Sequence, residues 1–134
     1  MKDKLVSHDD IRKLHPVFAG KHGDKLMDLG IKLSGLKYAN QVYNASKHLT
    51  GPAFCKDVLN KIGVTLKIKN VETLEAFKNK SFITVSNHPY GHVDGISIIA
   101  AIASLRPDYK VVVNAVLGLI DTMSENFIQV NPNN

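Results

Sequence analysis

The sequence has no tryptophan, one cysteine and only two arginines among its 134 residues. Because Cys55 is the only cysteine, no internal disulfide bond can form, and a reducing, cytoplasmic compartment is expected. The scarcity of arginine and the absence of tryptophan leave no platform of the kind on which proteins stack nucleic-acid bases. We therefore expect no nucleic-acid partner.

Long apolar runs are also missing. No stretch reaches the roughly 18 consecutive apolar residues that indicate a membrane-spanning helix. The first sixteen residues, MKDKLVSHDDIRKLHP, contain no apolar core of signal-peptide length, so secretion is not expected. With 44% hydrophobic and 22% charged residues, the composition is that of a soluble globular domain and excludes collagen-like and disordered acidic chains.

Positive charge is concentrated in the first part of the chain. Residues 1–80 carry fifteen basic and eight acidic side chains, a net charge of +7, whereas residues 81–134 carry two basic and four acidic ones, a net charge of −2. A basic surface attracts an anionic partner, such as a membrane surface or an acidic carrier. A solvated lysine-rich surface without a partner is the alternative that composition leaves open.

Residues 1–50 are predicted to form a helical N-terminal region. Apolar residues recur there at spacings of three and four, which is typical of an amphipathic helix; they are Leu26, Leu29, Leu33, Leu36, Val42 and Tyr43. Lysines flank this stripe, so it can lie on an anionic membrane surface. A face that packs into a protein core gives the same pattern. Gly30 and Gly35 weaken the helix or mark a bend.

Residues 51–134 are predicted to be the first part of an α/β domain. Helical patterns cover 54–62, ending at Gly63, then 71–77, 96–105 and 114–123, and strand patterns cover 64–69, 82–86, 109–113 and 127–130. Alternation of strands and helices predicts a small, mostly parallel sheet with flanking helices. Because the chain stops directly after a strand, we expect it to be a piece of a longer protein.

A polar loop at 87–95 follows the predicted strand 82–86, where ligands bind in parallel sheets. One interpretation is structural: Asp94 caps the next helix and His88 bonds to backbone. Another is a catalytic pair, in which the His88 imidazole accepts a proton and the Asp94 carboxylate fixes its tautomer. A third is a zinc site of a metal-dependent hydrolase, made by His88, His92 and Asp94.

The loop residues Ser86–Gly95, SNHPYGHVDG, carry a family resemblance. They resemble the first motif of the glycerolipid acyltransferase superfamily, the lysophosphatidic acid acyltransferases and their relatives, in which Asn-His-x4-Asp lies between a strand and a helix. Here five residues, not four, separate His88 from Asp94. The form Asn-His-Pro-x-Gly-x-x-Asp-Gly is similar to the hemolysin-like branch of bacterial acyltransferases, which includes enzymes that acylate lyso-forms of amino-acid lipids. The resemblance covers roughly residues 50–132.

The resemblance implies an acyltransferase with His88 and Asp94 as its catalytic dyad. The donor would be an acyl thioester, either acyl-CoA or an acylated carrier protein, and the acceptor a lysolipid, with no metal or cofactor. The enzyme would act in membrane lipid synthesis as a peripheral protein on the inner face of the membrane. A non-catalytic membrane-binding fragment remains the alternative that is not an enzyme.

Four further residues are candidates for the substrate site. We expect Asn87 to shape the loop, the backbone amides between Gly91 and Gly95 to stabilise the oxyanion, and Asn114 to line the same pocket.

The second motif of the family, Phe-Ile-x-Arg, aligns with Phe127–Val130, where Val130 replaces the arginine. That arginine would pair with an acceptor phosphate. The replacement predicts an acceptor without a phosphomonoester, such as a lyso-amino-acid lipid.

Overall fold

The computed structural model describes residues 35–114, 117, 118 and 120–131, together with a few isolated positions before residue 35; those are Leu5, Ser7, Asp9, Asp24, Met27, Asp28 and Gly30. The chain divides into two compact units, Met1–Lys47 and His48–Asn134.

In the first unit, helix α1 spans Leu36–Ser46. Gly35 precedes it with φ 74° and ψ 1°, a left-handed conformation that glycine adopts readily. The bend predicted at this glycine is therefore present. Val42 and Tyr43 are buried, so this part of the apolar stripe is a packing face and not an exposed one. The predicted stripe members Leu26, Leu29 and Leu33 lie outside the described residues.

Helix α2, Gly51–Lys61, belongs to the second unit and buries Phe54, Cys55 and Leu59. Pro52 lies in its first turn, where proline costs no intrahelical hydrogen bond. The helix ends as predicted at Gly63, whose φ of 75° permits the chain to reverse. The amide of Val64 donates to the Leu59 carbonyl at 2.9 Å and that of Gly63 to the Asn60 carbonyl at 3.1 Å, which is the Schellman pattern.

The buried face of α2 packs against a second helical segment. This segment begins as helix α4, His92–Ile98, and continues as a π-helical turn, Ile99–Ala103; the short helix α3, Val71–Glu75, lies between α2 and α4 in the sequence. The buried residues on the two sides are Phe54, Cys55, Leu59, Ile99, Ala100 and Ala103. The predicted helix at 96–105 is thus present, and it begins four residues earlier.

Two strands form a parallel sheet. Strand β1 is Val111–Asn114 and strand β2 is Phe127–Val130, paired in register from Val111 opposite Phe127 to Asn114 opposite Val130. The fold is α/β, with helices followed by a small parallel sheet. The predicted helix at 114–123 is wrong where it is described, because Asn114 belongs to β1 and a 3₁₀ helix covers Asp121–Asn126.

Residues 64–69, predicted as a strand, pair with no other strand in the described part of the chain. Their burial alternates only in part: Val64 and Leu66 are half-buried and Thr65 and Lys67 are exposed, but Ile68 is 50% exposed. The pattern identified two half-buried positions but not a partner strand, and a strand needs a partner.

The strand predicted as buried at 82–86 is also wrong in this structure. Residues 81–88 form no ladder with any strand that the structure describes. Ile83 and Val85 are 92% and 93% exposed. The apolar pattern predicted burial on both faces, as in a parallel sheet, but all four residues 83–86 are exposed.

Candidate active site

The loop 87–95 joins residues 81–86 to helix α4 through a sharp turn at Gly91. The backbone of Gly91 has φ 59° and ψ −126°, a combination that residues with a Cβ rarely adopt. A Cβ at this position would meet no atom within 4 Å, so the requirement for glycine comes from the backbone alone. The turn brings the end of the loop back toward its beginning.

Asp94 is held in the first turn of α4. Its Oδ2 accepts a hydrogen bond of 2.7 Å from the backbone amide of Tyr90. The side chain of Asp94 is 21% exposed. The amide fixes one carboxylate oxygen, and a negative charge near the N-terminus of a helix is favourable.

His88 faces this carboxylate. The distance from His88 Nδ1 to Asp94 Oδ2 is 3.7 Å, which is close enough for charge interaction but longer than a hydrogen bond. Catalytic hydrogen bonds are often this loose before substrate binds. Because Nδ1 points toward the carboxylate, Nε2 lies on the far side of the ring, and the His88 side chain is 60% exposed. The pair can therefore exchange a proton with a molecule that arrives from solvent.

Two backbone amides of the Gly91–Gly95 turn donate hydrogen bonds within the turn itself. The amides of Asp94 and Gly95 donate to the Gly91 carbonyl at 3.1 and 3.5 Å. They are therefore engaged in the turn and are not free to bind an oxyanion as expected from the sequence. Asn87 is exposed immediately before His88.

Asn114 lies at the carboxyl end of β1, where it is exposed and pairs in register with Val130. The hydrogen bonds described for the loop join residues 90–95 to one another. The structure therefore brings His88 and Asp94 together, and it places Asn114 at the end of the sheet.

The three side chains of the metal interpretation do not form a metal site. Within the described residues, which include His88, His92 and Asp94, no three His, Cys, Asp or Glu side chains are grouped to hold a metal ion. His92 is the exposed first residue of α4. The geometry thus favours the pair over the zinc site.

Sequence reasoning missed two contacts, one within the loop and one outside it. The first is the hydrogen bond from the Tyr90 amide to the Asp94 carboxylate, which the spacing of four residues between them could have indicated. The second is Arg106, whose Nη1 donates to the carbonyls of Phe77 and Lys80 at 2.9 and 2.7 Å. Its guanidinium also pairs with Asp108, which raises the pKa of Arg106 and lowers the pKa of the Asp108 carboxyl.

Among the residues that the structure describes, no helix is both long and apolar enough to cross a membrane. Comparison of the chain with protein-family models, with curated proteins and with solved structures finds no match. The likeness to acyltransferases therefore depends on the motif at 86–95 and on the geometry of that loop.

Proposed function

We propose that this protein is an acyltransferase that moves a fatty acyl group from an acyl thioester to a lysolipid-type acceptor. The observation that carries the proposal is the His88–Asp94 pair, with 3.7 Å between Nδ1 and Oδ2. A backbone amide orients the carboxylate, and the imidazole is open to solvent. This arrangement occurs within the motif that resembles the glycerolipid acyltransferases.

His88 acts as general base in the proposed reaction. Its Nε2 takes the proton from the acceptor hydroxyl or amine as that group attacks the thioester carbonyl. Asp94 keeps the remaining ring proton on Nδ1 and stabilises the imidazolium. When the tetrahedral intermediate collapses, the C–S bond breaks and the leaving thiolate takes the proton back from His88. The products are an ester or amide and free thiol, without an acyl-enzyme.

The charges of residues 81–134 favour an acceptor without a phosphomonoester. A phosphate in a water-poor pocket needs a paired cation. Arg106 and Lys110 are the only arginine and lysine after position 80. Arg106 already binds Asp108, Phe77 and Lys80, and Lys110 donates to the Glu125 carbonyl at 3.1 Å. Val130, at the position of the family arginine, carries no charge.

The lysine-rich first part of the chain supports a location on an anionic membrane surface. Its net charge of +7 attracts acidic headgroups. Because Val42 and Tyr43 are buried, the lysines and not this part of the apolar stripe carry the proposed attraction. Binding to anionic liposomes should weaken in 1 M salt, where the Debye length is about 3 Å. Equal binding to neutral and anionic liposomes at all salt concentrations would remove this part of the proposal.

The test of the chemistry compares two histidines of the same loop. His88→Ala should lower acyl transfer by about 100-fold or more, the usual contribution of a general base. His92→Ala is the matched control, since it removes an exposed imidazole that the proposed reaction does not use. Thiol release from acyl-CoA and from acylated carrier protein measures both variants. Liposome binding without thiol release in the wild type would favour a non-catalytic membrane module instead.

The acceptor is tested by competition between lysophosphatidic acid and a lyso-amino-acid lipid. The lyso-amino-acid lipid should show the higher kcat/KM. Val130→Arg should then raise the kcat/KM for lysophosphatidic acid, because the substitution supplies the missing cation. A wild-type preference for lysophosphatidic acid would contradict the acceptor assignment while leaving the dyad chemistry intact.

A further inference from the structure

A groove in the second unit lies between helix α2, residues 64–68 and the π-helical turn that follows α4. Its volume is about 480 Å³, within the range of about 300–1,000 Å³ that small-molecule sites occupy. No residue of the loop 87–95 lines this groove, so it is a site apart from the His88–Asp94 pair. It is therefore a second place where the protein can bind a ligand.

One wall of the groove consists of apolar side chains that are partly in water. Val64 and Leu66 are half-buried, Ile68 is 50% exposed, and Leu59 of α2 is buried beside them. In the described part of the chain no strand pairs with residues 64–68. An apolar ligand in the groove would therefore remove water from this wall, which is favourable in proportion to the apolar area covered.

The opposite wall is formed by the π-helical turn and the residues that follow it. Ala100 and Ala101 carry no side chain beyond Cβ, so a ligand can approach the helix backbone closely. The Ser104 hydroxyl donates to the Ala100 carbonyl at 2.7 Å, which gives both groups a hydrogen bond within the helix. This wall therefore asks for no polar partner from a ligand, and π-helical turns are frequent at functional sites.

The polar edge of the groove has one charge. Among the lining residues, all of which are described by the structure, Lys56 alone is charged. Asn60 lies four residues further along α2, so the two side chains share one face of the helix. Both residues are exposed. An ammonium group and a side-chain amide can each donate hydrogen bonds to a carboxylate.

We infer that this groove binds a free fatty acid, with the carboxylate at Lys56 and Asn60 and the alkyl chain between the two apolar walls. The positive edge complements the charge of the ligand, and the walls complement its chain. One turn of an α-helix, roughly 10 Å wide and about 5 Å long, fills about 400 Å³, so the groove is too small for a helix of a partner protein. The inference goes beyond the proposed acyl transfer and does not depend on it.

Calorimetric titration of the whole chain with laurate, below its micelle concentration, tests both parts of the ligand. One laurate should bind per chain. Decanoate, which is two methylenes shorter, should bind about tenfold more weakly, because each buried methylene changes the affinity roughly fourfold. Dodecyltrimethylammonium has the same chain length and the opposite charge, and it should bind more weakly than laurate. Equal affinity for the two twelve-carbon ligands would overturn the assignment of a fatty acid.

Two lysines of the same helix test the position of the carboxylate. Lys56→Gln should weaken laurate binding about two- to fivefold, the usual contribution of an exposed ion pair, and should leave dodecanol binding unchanged. Lys61→Gln is the matched control, because Lys61 does not line the groove and pairs with Asp57. It should bind laurate like the wild type. Equal weakening by the two substitutions would show that laurate responds to overall charge and does not bind at Lys56.

Filling the groove tests the position of the chain. Ala101→Leu adds three carbon atoms to the wall and should weaken both laurate and dodecanol binding about tenfold or more, with a Tm like that of the wild type. Unchanged affinity in this variant would overturn the inference. A ligand-free dimer that Ala101→Leu converts to monomer would also overturn it, because a second copy would then cover the groove. Acyl transfer without laurate binding would refute the groove site and leave the proposed function intact.

Discussion

Helix α2 and the loop 87–95 belong to one compact unit but are held in position in opposite ways. Phe54, Cys55 and Leu59 of α2 are buried against the helical segment that follows the loop. In the loop, His88 is 60% exposed, and Tyr90 is 78% exposed. The helix is fixed by side-chain packing, whereas the described contacts of the loop are few and mostly involve its backbone. Packing therefore supplies the scaffold, and the proposed chemistry lies in the loop, a common division in proteins.

The largest expected effect comes from the dyad, where catalysis should suffer far more than stability. His88→Ala should lower kcat by about 100-fold or more. Asp94→Ala should also lose most activity, and the double variant should be little worse than His88→Ala, because residues that act as a unit are not additive. A double-mutant cycle on thiol release measures this coupling. Strictly additive losses would indicate that the two side chains do not act together.

The second-largest effect concerns stability. A substitution in the packed face of α2 should lower the free energy of unfolding, whereas a substitution in the loop should hardly change it. Leu59→Ala should lower the free energy of unfolding by about 2–5 kcal/mol, because it leaves a cavity in a packed core. Tyr90→Ala should change it by about 0.5 kcal/mol or less, since its side chain is exposed and its amide still binds Asp94. Urea unfolding followed by circular dichroism measures both. Similar losses in the two variants would refute the division between scaffold and loop.

Cys55 adds a pH dependence to the packed region. Burial raises the pKa of its thiol from 9.0 to about 12. The folded state therefore retains the thiol proton above pH 9 while the unfolded state releases it, so the stabilisation is complete below pH 9 and declines toward pH 12. Wild type and Cys55→Ala should accordingly diverge in unfolding free energy as the pH rises through this window. Parallel pH profiles would show that the thiol ionises as easily in the folded protein.

The smallest effect concerns the surface of the same helix. Asp57 and Lys61 form an ion pair one turn apart on α2. Asp57→Asn removes this ion pair and should lower the free energy of unfolding by about 0.5 kcal/mol or less. In 1 M salt the difference between variant and wild type should be smaller still. Comparison with Leu59→Ala in the same helix separates the packed face from the solvated one. A loss of several kcal/mol from Asp57→Asn would mean that charge, and not packing, holds α2.

Local rules predicted the parts of the fold that depend on neighbouring residues. Gly63 ends α2 because glycine accepts a positive φ, and the β-branched run before Asn114 forms a strand. Pairing was harder to predict, since residues 82–86 have the composition of a buried strand but lie apart from β1 in the structure. Whether an extended segment joins a sheet depends on contacts distant in sequence.

The candidate site shows the same limit. The spacing of His88 and Asp94 predicted that a turn would bring the two side chains together, and the structure places them 3.7 Å apart. The engagement of the Asp94 and Gly95 amides by the Gly91 carbonyl was not predictable from residue types, because it depends on the path of the backbone.

The backbone of Gly91 also gives the loop a handedness. Its φ of 59° and ψ of −126° are the mirror image of a conformation that L-residues favour. A D-amino acid has the reversed preference, so chemical synthesis offers a way to separate chirality from side-chain size. The protein with D-alanine at position 91 should keep the turn and lose some unfolded-state freedom, whereas L-alanine at the same position should strain it. The geometry that presents Asp94 to His88 is thus encoded in the chirality of one position.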